Sequence, residues 1–147
     1  MVKGETIEIN CWGFKMDGTF EKGKIQVIHI WGKPDLLANP ELVKTALDST
    51  VRAIGMTPYS DPILITYPIP QLGFTCTQAL ADDSRSFVCI QHLHESYIVY
   101  DNWPEYGYAN IVINSCKTYD VRLAVEIIMK HLKPNRIRLG LCEEYSA

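Results

Sequence analysis

Apolar residues change their period along this chain, and the order of those changes narrows the folds open to it. In Lys24-Ile25-Gln26-Val27-Ile28-His29-Ile30-Trp31 they alternate, at Ile25, Val27 and then Ile30–Trp31, which predicts a strand with one buried face. From Asn39 the spacing lengthens. Leu42, Val43, Ala46, Leu47, Val51 and Ile54 recur at roughly the ~3.6-residue period of a helix. Asn39 is a suitable cap, Pro40 suits the first turn, Glu41 favours the positive dipole end and Gly55 is a stop. Strand-like runs then return. Pro62–Tyr67 reads as a short buried strand. Phe74–Leu80 and Ser86–His94 read as two strands joined at Asp82-Asp83-Ser84, the second continuing through Ser96 to about Tyr100, with turn residues between them. Tyr108–Asn114 is another strand. Asp120 opens a second amphipathic helix with Val121, Leu123, Ala124, Ile127, Ile128 and Leu132 as its apolar stripe. Pro134 ends it, and Ile137, Leu139 and Leu141 alternate as a last strand.

That order predicts an α+β fold: one mostly antiparallel sheet with two helices packed on one face. The second, apolar face of such a sheet needs a cover, so a homodimer or larger assembly is expected. A length of 147 residues suits a single domain. Residues 1–23, with Gly4, Gly13, Gly18 and Gly23 around Thr6–Asn10, read as an N-terminal extension holding a short strand or hairpin.

Charge and cysteine usage exclude several classes. The formal net charge is −3 and no Lys/Arg stripe stands out, which argues against nucleic acid as a partner. The densest basic spot, Lys130–Arg138, sits at a helix end, where cations complement the dipole. No apolar run approaches the ~18–20 residues of a membrane span, and Met1–Glu5 lacks the apolar core of a signal peptide. The five cysteines, Cys11, Cys76, Cys89, Cys116 and Cys142, are odd in number and lack a C-x-x-C spacing. They argue against a disulfide framework and against a structural zinc. A cytoplasmic protein with reduced thiols is the expectation, with no metal.

The stretch Glu95–Ala109 carries the chemistry. A serine hydroxyl can attack the carbonyl carbon of the residue before it and turn that amide into an ester. Loss of the serine α-proton then expels the carboxylate, and hydrolysis of the remaining dehydroalanine leaves an N-terminal ketone. Such a reaction needs an oxyanion stabiliser and a general base. A Glu-Ser pair alone is common and says little. Here it is followed by Trp103-Pro104-Glu105-Tyr106-Gly107, then Ala109 and a strand ending at Cys116. That order resembles the bacterial-type S-adenosylmethionine decarboxylases, over about residues 24–141.

The resemblance implies a two-layer α+β sandwich and a pyruvoyl cofactor made from Ser96 by self-cleavage of Glu95-Ser96. The pyruvoyl group draws electrons from the substrate as pyridoxal phosphate does elsewhere. It implies S-adenosylmethionine as the small-molecule substrate, and a place in spermidine and other polyamine synthesis. Cys116 resembles the proton donor of decarboxylation, Glu105 the carboxylate that holds the ribose hydroxyls, and Tyr97 and Ile98 fall where substrate is bound. Asp101 stands where the family has a histidine that assists elimination, and Tyr97 stands where it has another. Burial of Asp101 would make it a better base than an ordinary aspartate. His92 and His94, on a strand continuing to Ser96, would share its face; ordinary strand surface is their plainer reading. The family's processing serine matches Thr75 if Pro70-Gln71-Leu72-Gly73-Phe74-Thr75 is aligned with an insertion before Ser96, and Val88 without it. Tyr67, Phe74 and Phe87 are candidate walls for an adenine ring, or core. Three other activities stay open: decarboxylation of arginine or ornithine, lyase chemistry on S-adenosylmethionine, and a non-processing homologue that binds or regulates a partner.

Overall fold

The computed structural model describes residues 23–66 and 85–145. Six strands form one antiparallel sheet: β1 (Gly23–Trp31), β2 (Ile63–Thr66), β3 (Phe87–His92), β4 (Ser96–Trp103), β5 (Tyr108–Ser115) and β6 (Arg136–Tyr145), in the order β2-β3-β4-β5-β1-β6. Among the described residues three helices join them: the single turn α1 (Pro34–Leu37), α2 (Pro40–Ala53) and α3 (Val121–Leu132). Helices α2 and α3 pack together, and both bury apolar residues into a single core with one face of the sheet. The predicted α+β class and its two long helices are present.

Local chemistry explains the helix limits. The Asn39 side chain accepts from the N–H of Leu42 at 3.1 Å, and Asp120 does the same for Arg122 at 3.0 Å, each satisfying an amide that the first turn leaves free. Gly55, at φ +76°, ends α2 in a conformation that costs glycine little.

The core lies between the helices and the sheet, with Ile28, Ile30, Ile98, Tyr100, Ile111 and Ile113 fully buried. Two polar side chains in β4 fix the helical layer to the sheet. Tyr100 Oη donates to the carbonyl of Leu37 at 2.6 Å, and Asn102 Nδ2 donates to the same oxygen at 2.9 Å. Asn102 Oδ1 in turn accepts from Phe87 N at 2.8 Å. Burial pushes the Tyr100 hydroxyl far above the usual phenol range, so it stays protonated as this donor.

No described helix lies on the opposite face. Register places Ile63, Ile90, Val99, Val112 and Val27 in one apolar row across five strands. Nearer one end of the sheet, Trp103, Tyr108 and Trp31 form a second row. Trp103 and Tyr108 stack at 5.3 Å, and Arg136 lies over Trp31 at 4.3 Å.

Four expectations need correction. The run from Ser86 to Tyr100 is not one strand: the chain reverses at Leu93–Glu95, and β3 and β4 pair as a hairpin. Pro62–Tyr67 is not a buried strand. Residues 63–66 form the edge strand β2 of the described sheet, with Ile63 47% accessible, because Leu64 is the one apolar residue of the strand on the helical face. Leu123 falls off the α3 stripe and is exposed, as Leu139 and Leu141 are on the other edge strand. Phe87 is a core residue stacked on Tyr100 at 5.7 Å, not a free adenine wall. The expected features at 1–22, Phe74–Leu80, Thr75 and the Asp82–Ser84 turn lie outside the described residues.

Candidate active site

The hairpin loop that joins β3 to β4 carries the Glu95-Ser96 bond. Leu93 N donates to the Ser96 carbonyl at 2.9 Å and closes the loop. The segment after α2 pins it from the side: His94 N donates to the Thr57 carbonyl at 3.0 Å, and Thr57 N donates to Glu95 Oε2 at 3.0 Å. A third bond reaches the reacting group itself. Cys116 N donates to the carbonyl oxygen of Glu95 at 3.0 Å. A serine attacking that carbonyl would drive negative charge onto the oxygen already facing this amide, the geometry of an oxyanion hole.

Register explains why Cys116 is there. Ser96 and Ser115 are opposite one another in β4 and β5, so the residue after β5 meets the residue before β4. Ser115 is fully buried; its Oγ accepts from Lys117 N at 3.0 Å and donates to the Met56 sulfur at 3.4 Å. Ser96 and Glu95 are half-buried, while Cys116 is exposed. Tyr97, also exposed, is on the helix-free face opposite Asn114. Ile98 is a core residue with no accessible surface, so its side chain packs. His92 faces Tyr97 across the hairpin, and His94 sits in the loop against Tyr59, ring centroids 5.4 Å apart. Neither histidine shares a strand face with Ser96, because the chain reverses between them.

Asp101 and Glu105 lie at the other end of β4. That strand has eight residues, about 25 Å at ~3.3 Å per residue. Asp101, five residues after Ser96, projects from the opposite face of the sheet because side chains alternate. It neighbours Asn110 and Val88, and burial pushes its carboxyl up to about 6 against a backbone hydrogen bond at Asn102 that lowers it. Glu105 belongs to a 3-10 turn, Pro104–Tyr106, tied to the end of β1 by Gly32 N donating to Gly107 O at 2.9 Å. Both of its carboxylate oxygens are shielded from solvent and accept no hydrogen bond. A buried carboxylate without donors is costly to leave so.

A family model, S-adenosylmethionine decarboxylase, matches residues 26–143. The chain belongs to the S-adenosylmethionine decarboxylase family. The crystal structure of the adenosylmethionine decarboxylase from Aquifex aeolicus VF5 is similar in fold, with a TM-score of 0.63 at 19% identity over 88% of this chain and 94% of that one. A search among curated proteins finds no match. Within the decarboxylase family, cofactor chemistry is pyruvoyl-dependent in general. Three parts of this site were not legible in the chain as letters: the Thr57 clamp, the Cys116 amide and the missing donors of Glu105. Two are backbone groups, which carry no sequence signal, and the third is a lack of neighbours.

Proposed function

We propose that this chain is a self-maturing S-adenosylmethionine decarboxylase of polyamine biosynthesis. The observation that carries the reading is the amide of Cys116 on the carbonyl of Glu95. Ser96 Oγ adds to that carbonyl carbon, and its proton passes to the Ser96 nitrogen as the carbon–nitrogen bond breaks. The Cys116 N–H stabilises the oxyanion between these events. Removal of the Ser96 α-proton breaks its Cβ–Oγ bond and expels the carboxylate of residue 95. The enamine left behind tautomerises, takes up water and releases ammonia, leaving a pyruvoyl group at the head of residues 96–147. Once formed, that group supplies the electron sink for decarboxylation.

The residues of the chain do the rest. Cys116, anchored by its backbone beside the same carbonyl, presents an exposed thiol as proton donor. The unpartnered carboxylate of Glu105 accepts the ribose hydroxyls. These groups sit at opposite ends of β4, so one copy cannot bring them to one substrate. Stacking of these faces about a two-fold axis that lies between them and across the strands would run β4 of the two copies in opposite directions. It carries Asp101 and Glu105 of one copy to the Ser96 and Cys116 end of the other, and buries the apolar row through Val99 and Val112. Asp101, with its carboxyl raised towards 6, is a better base than an ordinary aspartate.

Intact mass tests maturation. Freshly purified wild-type protein should give two fragments divided between residues 95 and 96, the second blocked by pyruvate, and Ser96→Ala should stay whole. A single full-length mass after long incubation refutes maturation and leaves a non-processing partner protein, the reading that Tyr97 and Asp101 favour. Release of labelled carbon dioxide from S-adenosylmethionine, and not from arginine or ornithine, tests the substrate.

A further inference from the structure

Tyr145 ends β6, one strand beyond β1, yet its hydroxyl reaches β5. It lies 2.9 Å from the carbonyl of Ser115 and 3.0 Å from Asn114 Oδ1. The ring crosses β1 above Gly23, its register partner. A Cβ on Gly23 would overlap that ring, so only glycine leaves the path open. A phenol has one proton. With the Asn114 amide turned so that its NH2 donates to the phenol oxygen, that proton goes to the Ser115 carbonyl. Burial, then the nearby Cys116 and Tyr97, raises the Tyr145 pKa, so the proton is present at neutral pH.

The carbonyl of Ser115 and the N–H of Cys116 are two ends of one peptide unit. The N–H end is the donor to Glu95. We infer that Tyr145 is a positioning residue for self-cleavage: its hydroxyl polarises the Ser115–Cys116 peptide, and thereby strengthens the N–H that faces the carbonyl of the Glu95-Ser96 bond. Hydrogen bonds in series reinforce one another because each peptide dipole grows in the field of the next. The inference rests on the maturation reading above. Tyr145 and Gly23 both lie just outside residues 26–143, the span of the family match.

The magnitude follows from two general values. Losing an oxyanion donor slows a reaction on the order of 10²–10³-fold, and a neighbouring bond strengthens the next by about 10–30%. That fraction of the effect, taken on a logarithmic scale, is a slowing of roughly twofold to eightfold. Tyr145→Phe deletes only the hydroxyl; Gly23→Ala keeps it but displaces the ring. Each should slow the conversion of precursor to fragments by that factor, and the double variant should be no slower than either alone, because both break one link. The same rate in Tyr145→Phe as in wild type overturns the inference. A second readout does not depend on cleavage. In the Ser96→Ala chain, Tyr145→Phe should move the Cys116 amide proton resonance upfield, as a weakened donor does. An unmoved resonance overturns the relay, even if the wild-type chain proves never to cleave and the maturation reading fails by itself.

Discussion

Replacing Asp101 by Asn should stabilise the fold at neutral pH and leave it unchanged in acid. Asp101 is half-buried on the helix-free face, and burial raises its carboxyl from the ordinary 3.8 to about 6. Among the described residues no cation forms an ion pair with it. The folded state therefore holds a proton there between pH 4 and 6 that the unfolded chain, near ~3.9, releases. By linkage, stability falls as pH rises through that window, because the native state binds the extra proton. The interval corresponds to at most ~3 kcal/mol at ~1.4 kcal/mol per pH unit. Solvent screening at a site this open reduces it to about 1–2 kcal/mol. Asn is nearly isosteric and carries no charge to desolvate. Denaturant unfolding of Ser96→Ala and Ser96→Ala/Asp101→Asn, compared at pH 4.0 and pH 7.5, measures the difference without fragments in the sample. The expected result is near-equal midpoints at the lower pH and a gain for the double variant at the higher. An equal difference at both pH values, or a loss at pH 7.5, refutes the reasoning, since the second outcome means that a cation holds the ionised form.

Further predictions concern the site and its frame. Cys116→Ala keeps the backbone amide and removes the thiol, so fragments should still form while kcat falls more than substrate affinity; loss of cleavage in this variant would mean that the thiol, not the amide, serves maturation. Tyr100→Phe should cost about 1 kcal/mol, because the Leu37 carbonyl keeps Asn102 as a donor, whereas Asn102→Ala also strands the buried Phe87 N–H and should cost about 2–4 kcal/mol. Equal losses in denaturation midpoint would contradict that asymmetry. Val112→Asp places a charge in the middle of the apolar row and should give monomers by sedimentation, with decarboxylation lost; an unchanged association state would remove the second copy from the site.

The sequence by itself determined the elements that depend on short-range pattern. The strand at Ile25–Trp31, the helix from Asn39 to Gly55 and the helix opening at Asp120 stand where their periods and caps put them, because cap, period and stop lie within a few residues of one another. The core face of that strand, however, is Gln26, Ile28 and Ile30, not the Ile25 and Val27 side that the alternation pointed to, because the helices cover the former. The motif from Glu95 to Cys116 was legible for the same reason, since its residues are contiguous or nearly so. What the letters did not reveal was the reversal at Leu93–Glu95, which lacks the glycine or asparagine that announces most two-residue hairpins. Nor did they show that Pro62–Thr66 would be an exposed edge, since burial of a strand depends on its place in the sheet order. The tertiary structure alone decided the contacts around the Glu95 carbonyl: the Cys116 amide 21 positions later in the chain, the Thr57 clamp, and Tyr145 passing over Gly23. These are backbone groups, a carboxylate, a phenol and a missing side chain, brought together by strand register, and register is set by the whole sheet at once.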